Sequence, residues 1–160
     1  MALKVGDKAP DFELSTKTAE GPKKLKLSSN FGKKNTVILF FPMAFTGVCT
    51  KEMCTFRDSL ASFQSLNAQV VGISVDSPYA NKAFAVQNKL TFPLLSDFSR
   101  DVSKNYGGLN EDFAGLKSYT ASKRAVFVLD KGGIVQYAWV SDNPGVEPPY
   151  AEIEKALSSH

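Results

Sequence analysis

Apolar positions along the chain keep two rhythms that take turns. Residues 37–41 form an unbroken β-branched and aromatic run closed by Pro42, which predicts a strand buried on both faces. Residues 69–75 repeat the pattern, and Asp76, Ser77 and Pro78 then supply a capping residue and a first-turn proline that open a helix to about Lys89. Between these strands the period changes. Cys49, Met53, Phe56, Leu60 and Phe63 recur at steps of four, three, four and three, one stripe of a helix capped by Thr46. Residues 92–95 predict a short strand in which Pro93 favours an edge or a bulge. Two further runs, 125–129 and 134–140, flank a turn whose Gly132 and Gly133 are free to take positive φ, a predicted hairpin. Residues 150–157 read as a closing helix, and the lysine-rich start as a hairpin extension. Strands and helices in alternation, with a late antiparallel pair, specify an α/β protein whose mixed sheet is covered by helices on both faces. Residues 106–124 form the one long irregular stretch, and loops of that length tend to carry function.

Composition narrows the class. A chain of 160 residues, 43% hydrophobic and 22% charged, suits one globular domain spanning 1–160. The scaling of surface with mass predicts roughly 69% of the unfolded surface buried, enough to fold without staples. The net charge of +3 gathers at the start, where residues 1–36 hold eight Lys against four acids. Arginine occurs only at 57, 100 and 124, so the Lys23, Lys24, Lys26, Lys33 and Lys34 clusters read as a solvated hairpin and not as a nucleic-acid face. The longest apolar run, 37–45, is interrupted by Pro42 and falls far short of the ~20 residues a membrane span needs. An opening with Lys4, Asp7 and Lys8 and no apolar stretch predicts no secretory leader and a cytoplasmic, thiol-reducing setting.

Rare residues remove chemistry. The only histidine is His160, so triads that need a placed imidazole are excluded. Two cysteines without a placed histidine cannot supply the donors of a zinc site, and no metal is expected. Dinucleotide, phosphate-loop and serine-hydrolase signatures are missing. What remains is Cys49. It opens the apolar face of its helix at the third helical position, where free N–H groups and the positive dipole end stabilise a thiolate. It also lies beyond the carboxyl end of a central strand, where open α/β sheets place reactive groups. A lone cysteine on an apolar stripe is otherwise an inert small hydrophobe. Cys54 lies about 140° round the helix, off the stripe, and its nearness to a candidate thiolate favours a partner role.

The pattern Pro42-x3-Thr46-x2-Cys49 resembles the active-site signature of the peroxiredoxins. The likeness extends to residues 5–12, to the strand before Pro42 and to residues 124–130, which match the segment carrying the family's catalytic arginine. The second cysteine five residues on is similar to the bacterioferritin-comigratory, or Q-type, branch, and residues 142–146 to the alkyl hydroperoxide reductase E group. The resemblance implies a thioredoxin-like fold and a thiol-dependent peroxidase for hydrogen peroxide and organic hydroperoxides. It makes Cys49 the nucleophile and Cys54 the resolving cysteine, joined through a sulfenic acid to an intramolecular disulfide. Thr46 offers its hydroxyl to the thiolate and the peroxide, Pro42 shields the sulfur, Arg124 donates to thiolate and peroxide, and Glu52 orients Arg124.

No cofactor is implied, and the reductant would be thioredoxin or a glutaredoxin-type dithiol acting on a monomer or homodimer. Two other readings stand beside this one. A thioredoxin-like disulfide oxidoreductase shares the fold but needs C-x-x-C, and Thr46 occupies the place of its first cysteine. A non-enzymatic redox sensor or holdase would oxidise at Cys49 without turning over.

Overall fold

A computed structural model describes residues 2–158; His160 lies outside them. The strands are β1 (Glu13–Thr18), β2 (Gly21–Lys26), β3 (Asn35–Phe40), β4 (Ala68–Ser74), β5 (Leu94–Ser96), β6 (Leu109–Asn110), β7 (Ala121–Ser122), β8 (Arg124–Leu129) and β9 (Val135–Ser141). The helices are α1 (Gly47–Asp58), α2 (Leu60–Ser65), α3 (Pro78–Gln87), α4 (Asp101–Tyr106) and α5 (Tyr150–Ser158). Seven strands form one sheet in the order β2-β1-β5-β4-β3-β8-β9. β3, β4 and β5 run parallel, while β8 and β9 on one side and β1 and β2 on the other run antiparallel to their neighbours. This is a thioredoxin-like α/β arrangement with its hairpin extension built into the sheet.

The two-residue side-chain period of the strands sorts the core into layers. Val37 and Leu39 of β3, Phe41 just after it, and Val126 and Val128 of β8 pack with the stripe of α1 and with Phe84 of α3 and Ile153 and Leu157 of α5. Their alternates Ile38, Phe40, Ala125, Phe127 and Leu129 pack on the other face with Tyr106 of α4, Phe12 and Leu27. Every residue of β3 and of β8 is buried, as strands covered on both faces must be.

Several boundaries differ from the sequence reading, each for a local reason. The helix expected through Phe63 breaks at Ser59 into α1 and α2, yet the apolar stripe continues across the break. β5 is neither an edge nor a bulge: Pro93 precedes it, and β5 lies inside the sheet between β4 and β1. In the β8–β9 turn only Gly133 takes positive φ, at 81°. α4 is a helix the sequence did not announce, because its cap position is Arg100 in a left-handed conformation instead of a capping side chain. The stretch 106–124 contains the β6–β7 pair, and its Phe113 and Ala121 pack with Val75 and against Met43. Lys23, Lys24 and Lys26 are exposed on β2. Among the described residues no helix is long and apolar enough to cross a membrane.

Candidate active site

The carboxyl end of β3 delivers the chain into a tight loop, 42–46, and α1 follows at once. Ala44 N–H donates to a carboxylate oxygen of Asp76 at 2.8 Å, which ties this loop to the end of β4. Phe45 is forced to φ 68°, a sparsely populated conformation for a bulky residue, with its ring edge-on to Phe84. Thr46 occupies the N-cap with extended backbone, but its hydroxyl makes no capping bond. It donates to the Met43 carbonyl at 2.8 Å instead. A hydroxyl has one proton, so with that proton on Met43 the Thr46 oxygen presents its lone pairs, which can accept from the O–H of a ligand. Pro42 is buried directly after the central strand.

Cys49 lies in the first turn of α1 and is wholly buried. Arg124 reaches it from the sheet. The residue opens β8 on the same face as Val126 and Val128, and its chain neighbour Ala125 stands opposite Phe40, the last residue of β3. Strand alternation therefore aims the guanidinium at the start of α1. All three of its nitrogens donate: Nη2 to Cys49 Sγ at 3.1 Å, Nη1 to Glu52 Oε2 at 2.6 Å, and Nε and Nη2 to the Pro144 carbonyl at 3.1 and 2.9 Å. A fixed planar fork with three acceptors of this kind has one orientation available.

Glu52 is one helical turn from Cys49, so both side chains meet Arg124 from the same face of α1. Its second oxygen, Oε1, is buried and accepts no hydrogen bond among the described residues. Burial pushes the Glu52 carboxyl up to about 7, with Arg124 pulling in the opposite direction. A carboxyl raised in the folded state contributes stability that is complete below the ordinary carboxylate range and is lost as pH rises through about 7. Glu52→Gln has no such titration. Urea unfolding at pH 5 and pH 8 should show wild type losing stability relative to this variant as pH rises; a constant difference would show that Glu52 is ionised throughout.

The segment after β9 closes the site. Pro144 gives its carbonyl to Arg124, and Glu147 pairs with Lys51 of α1 at 3.0 Å and accepts from the Tyr150 hydroxyl at 2.6 Å. The Tyr150 bond, ahead of the Lys51 charge, holds the Glu147 carboxyl below its ordinary range. The Pro144 contact had no signal of its own in the sequence, since a backbone carbonyl has no side-chain signature. Cys54 is half-buried on the flank of α1, where its thiol donates to Asn88 Oδ1 at 3.7 Å. Both thiols are free. The structure thus brings Cys49, Arg124 and Glu52 into contact, with Thr46 and Pro42 on the adjoining loop and Cys54 on another side of the helix.

A family model described as the AhpC/TSA family matches residues 5–138. The chain belongs to this peroxiredoxin family. Alkyl hydroperoxide reductase E of Mycobacterium bovis is 40% identical over 138 residues, covering 85% of this chain and 84% of that protein. The chloroplastic 2-Cys peroxiredoxin of Spinacia oleracea is 35% identical over 162 residues, covering 97% of this chain. The peroxiredoxin chain here spans only 58% of that relative's length. Among solved structures, peroxidoxin BcpB from Mycobacterium tuberculosis superposes with a TM-score of 0.78 at 32% identity, covering 98% of this chain and 96% of its own. The reduced 2-Cys peroxiredoxin of Plasmodium vivax gives 0.80 at 29% identity, covering 96% and 79%.

Proposed function

We propose that this peroxiredoxin is a thiol-dependent peroxidase for hydrogen peroxide and organic hydroperoxides. The observation that carries the reading is the 3.1 Å contact between the Arg124 guanidinium and the buried sulfur of Cys49 in the first turn of α1. A fixed cation and a helix N-terminus place positive potential at the sulfur, where an attacking nucleophile is electron-rich. The Cys49 sulfur attacks one peroxide oxygen. An S–O bond forms as the O–O bond breaks, and water or an alcohol leaves after taking up a proton. Cys49 becomes a sulfenic acid. Because the sulfur is wholly buried, a peroxide reaches it only when neighbouring groups part. Arg124 then stabilises the charge that moves from sulfur to the departing oxygen.

Cys54 resolves the sulfenic acid. Its sulfur forms an S–S bond to Cys49 as the S–O bond breaks and water departs, and a thioredoxin or glutaredoxin-type dithiol reduces the disulfide by exchange. Both cysteines sit in the continuous helix α1, where residues five apart have Cα atoms roughly 8.7 Å apart. A disulfide tolerates no more than about 7 Å, so the bond requires the start of α1 to unwind. Lys51 lies between the two cysteines, and its pair with Glu147 must open in the same event.

The deciding experiment combines thiol mass spectrometry after one equivalent of peroxide with hydrogen exchange over residues 46–56. The expected result is a Cys49–Cys54 disulfide whose formation accelerates exchange there, reversed by dithiothreitol. Peroxide consumption without thiol oxidation would overturn the peroxidase reading. Unchanged protection in the disulfide form would overturn the unwinding. Sustained turnover with thioredoxin and its reductase separates an enzyme from a stoichiometric sensor.

A further inference from the structure

The two ends of α1 are fastened to different things. Its start is held by Arg124 on the Cys49 sulfur and by the Thr46 carbonyl, which accepts from Thr50 N–H at 2.9 Å. Its second half is fastened to the end of α3 through one residue, Asn88. The Asn88 side-chain amide donates to the Phe84 carbonyl at 3.0 Å, which turns Oδ1 toward α1, where the Cys54 thiol donates to it at 3.7 Å. One turn further along the same face, Arg57 Nη1 donates to the Asn88 main-chain carbonyl at 2.7 Å. Phe56, between them in sequence, stacks on Phe63 and meets Tyr150 edge-on on the buried side.

Oxidation loosens only one of these attachments. A neutral sulfenic acid is a poorer acceptor for a guanidinium than a thiolate, so the start of α1 loses its charge-assisted bond while the Asn88 attachments are untouched. The Cys49 end therefore travels, and Cys54 waits in place.

We propose that Asn88 is a positioning residue that restrains the resolving cysteine, holding Cys54 as a hydrogen-bonded thiol and so slowing disulfide closure. This rests on the reading of Cys54 as the resolving cysteine. Oδ1 is purely an acceptor, so it stabilises the S–H form, whereas the attack needs that proton gone. In the closing step the Cys54 S–H bond and the Cys49 S–O bond break, the S–S bond forms, and proton and hydroxide leave as water. The oxidising equivalents are those already taken from the peroxide.

The test uses the full chain with Asn88→Ala and Asn88→Asp, which push in opposite directions. The alanine variant removes the acceptor. The aspartate variant keeps an acceptor of the same size, exchanges the amide donor to the Phe84 carbonyl for an oxygen, and adds a negative charge that opposes formation of the attacking thiolate. After one equivalent of hydrogen peroxide, sulfenic acid is trapped with dimedone at successive times and the disulfide is quantified by mass. The readout is the ratio of the closure rate to the rate of the initial peroxide burst, which a merely structural role for Asn88 would not move in two directions. The alanine variant should raise this ratio by roughly two- to three-fold, the lower end of the hydrogen-bond range because a thiol is a weak donor, and the aspartate variant should lower it. Equal ratios in all three proteins, or slower closure in both variants, would overturn the proposal while leaving Cys54 as the resolving cysteine. Absence of any Cys49–Cys54 disulfide in the wild-type protein would overturn that underlying reading as well.

Discussion

Cys49→Ser is expected to abolish peroxide consumption, with a loss of at least about 10³-fold, the order that follows when a covalent nucleophile is removed. The serine oxygen would sit in the same first turn of α1 beside the same Arg124 donor, so the geometry survives and only the nucleophile changes. Cys54→Ser should behave differently. Cys54 does not touch Arg124 or Glu52, and its thiol faces Asn88. That variant is expected to show a stoichiometric burst of peroxide reduction followed by arrest at the sulfenic acid, measured by stopped-flow consumption and dimedone trapping. Equal loss of the burst in both variants would reverse the assignment of the two thiols.

The second large effect is expected at Arg124. Its replacement by methionine removes the cation from the developing charge and should slow the peroxide reaction by about 10²- to 10³-fold, the range for one preorganised donor. It also leaves Glu52 wholly buried without its partner, which costs stability by a separate route. The two effects can be divided. Arg124→Met combined with Glu52→Gln removes the unpartnered buried acid, so its unfolding midpoint should recover relative to the single variant while the peroxide rate stays low. Recovery of the rate along with the midpoint would mean that Arg124 acts through the fold and not on the sulfur.

The parts of this arrangement that the sequence disclosed are those written in periodic patterns. Residues 37–41 announced a central strand, and the steps from Cys49 to Phe63 announced the helix face that buries Cys49, both found in the main core. Arg124 could be attached to Cys49, 75 positions away, only through a family resemblance, because nothing local marks which strand end faces which helix. Glu52 gave a signal that periodicity alone undervalues: it is three residues from Cys49, so burial of one implies burial of the other. Pro144 and Asn88 gave none. Both present single polar atoms on segments whose placement depends on long-range packing, and the bond from the Thr46 hydroxyl to the Met43 carbonyl likewise forms only once the loop has folded.

The Arg124–Cys49 contact joins a strand laced to neighbours on both sides to a helix end that, under the proposed Cys49–Cys54 chemistry, would open and close in every cycle. The charge is therefore a stationary template, and rewinding a turn of helix against it takes less than about a microsecond. Encounter with a reducing protein at typical association constants of 10⁵–10⁷ M⁻¹s⁻¹ is slower by orders of magnitude at micromolar concentration. The fraction of molecules found with the helix open would then report how well the surroundings supply electrons, so the same movement that permits recycling makes the chain a gauge of reductant scarcity.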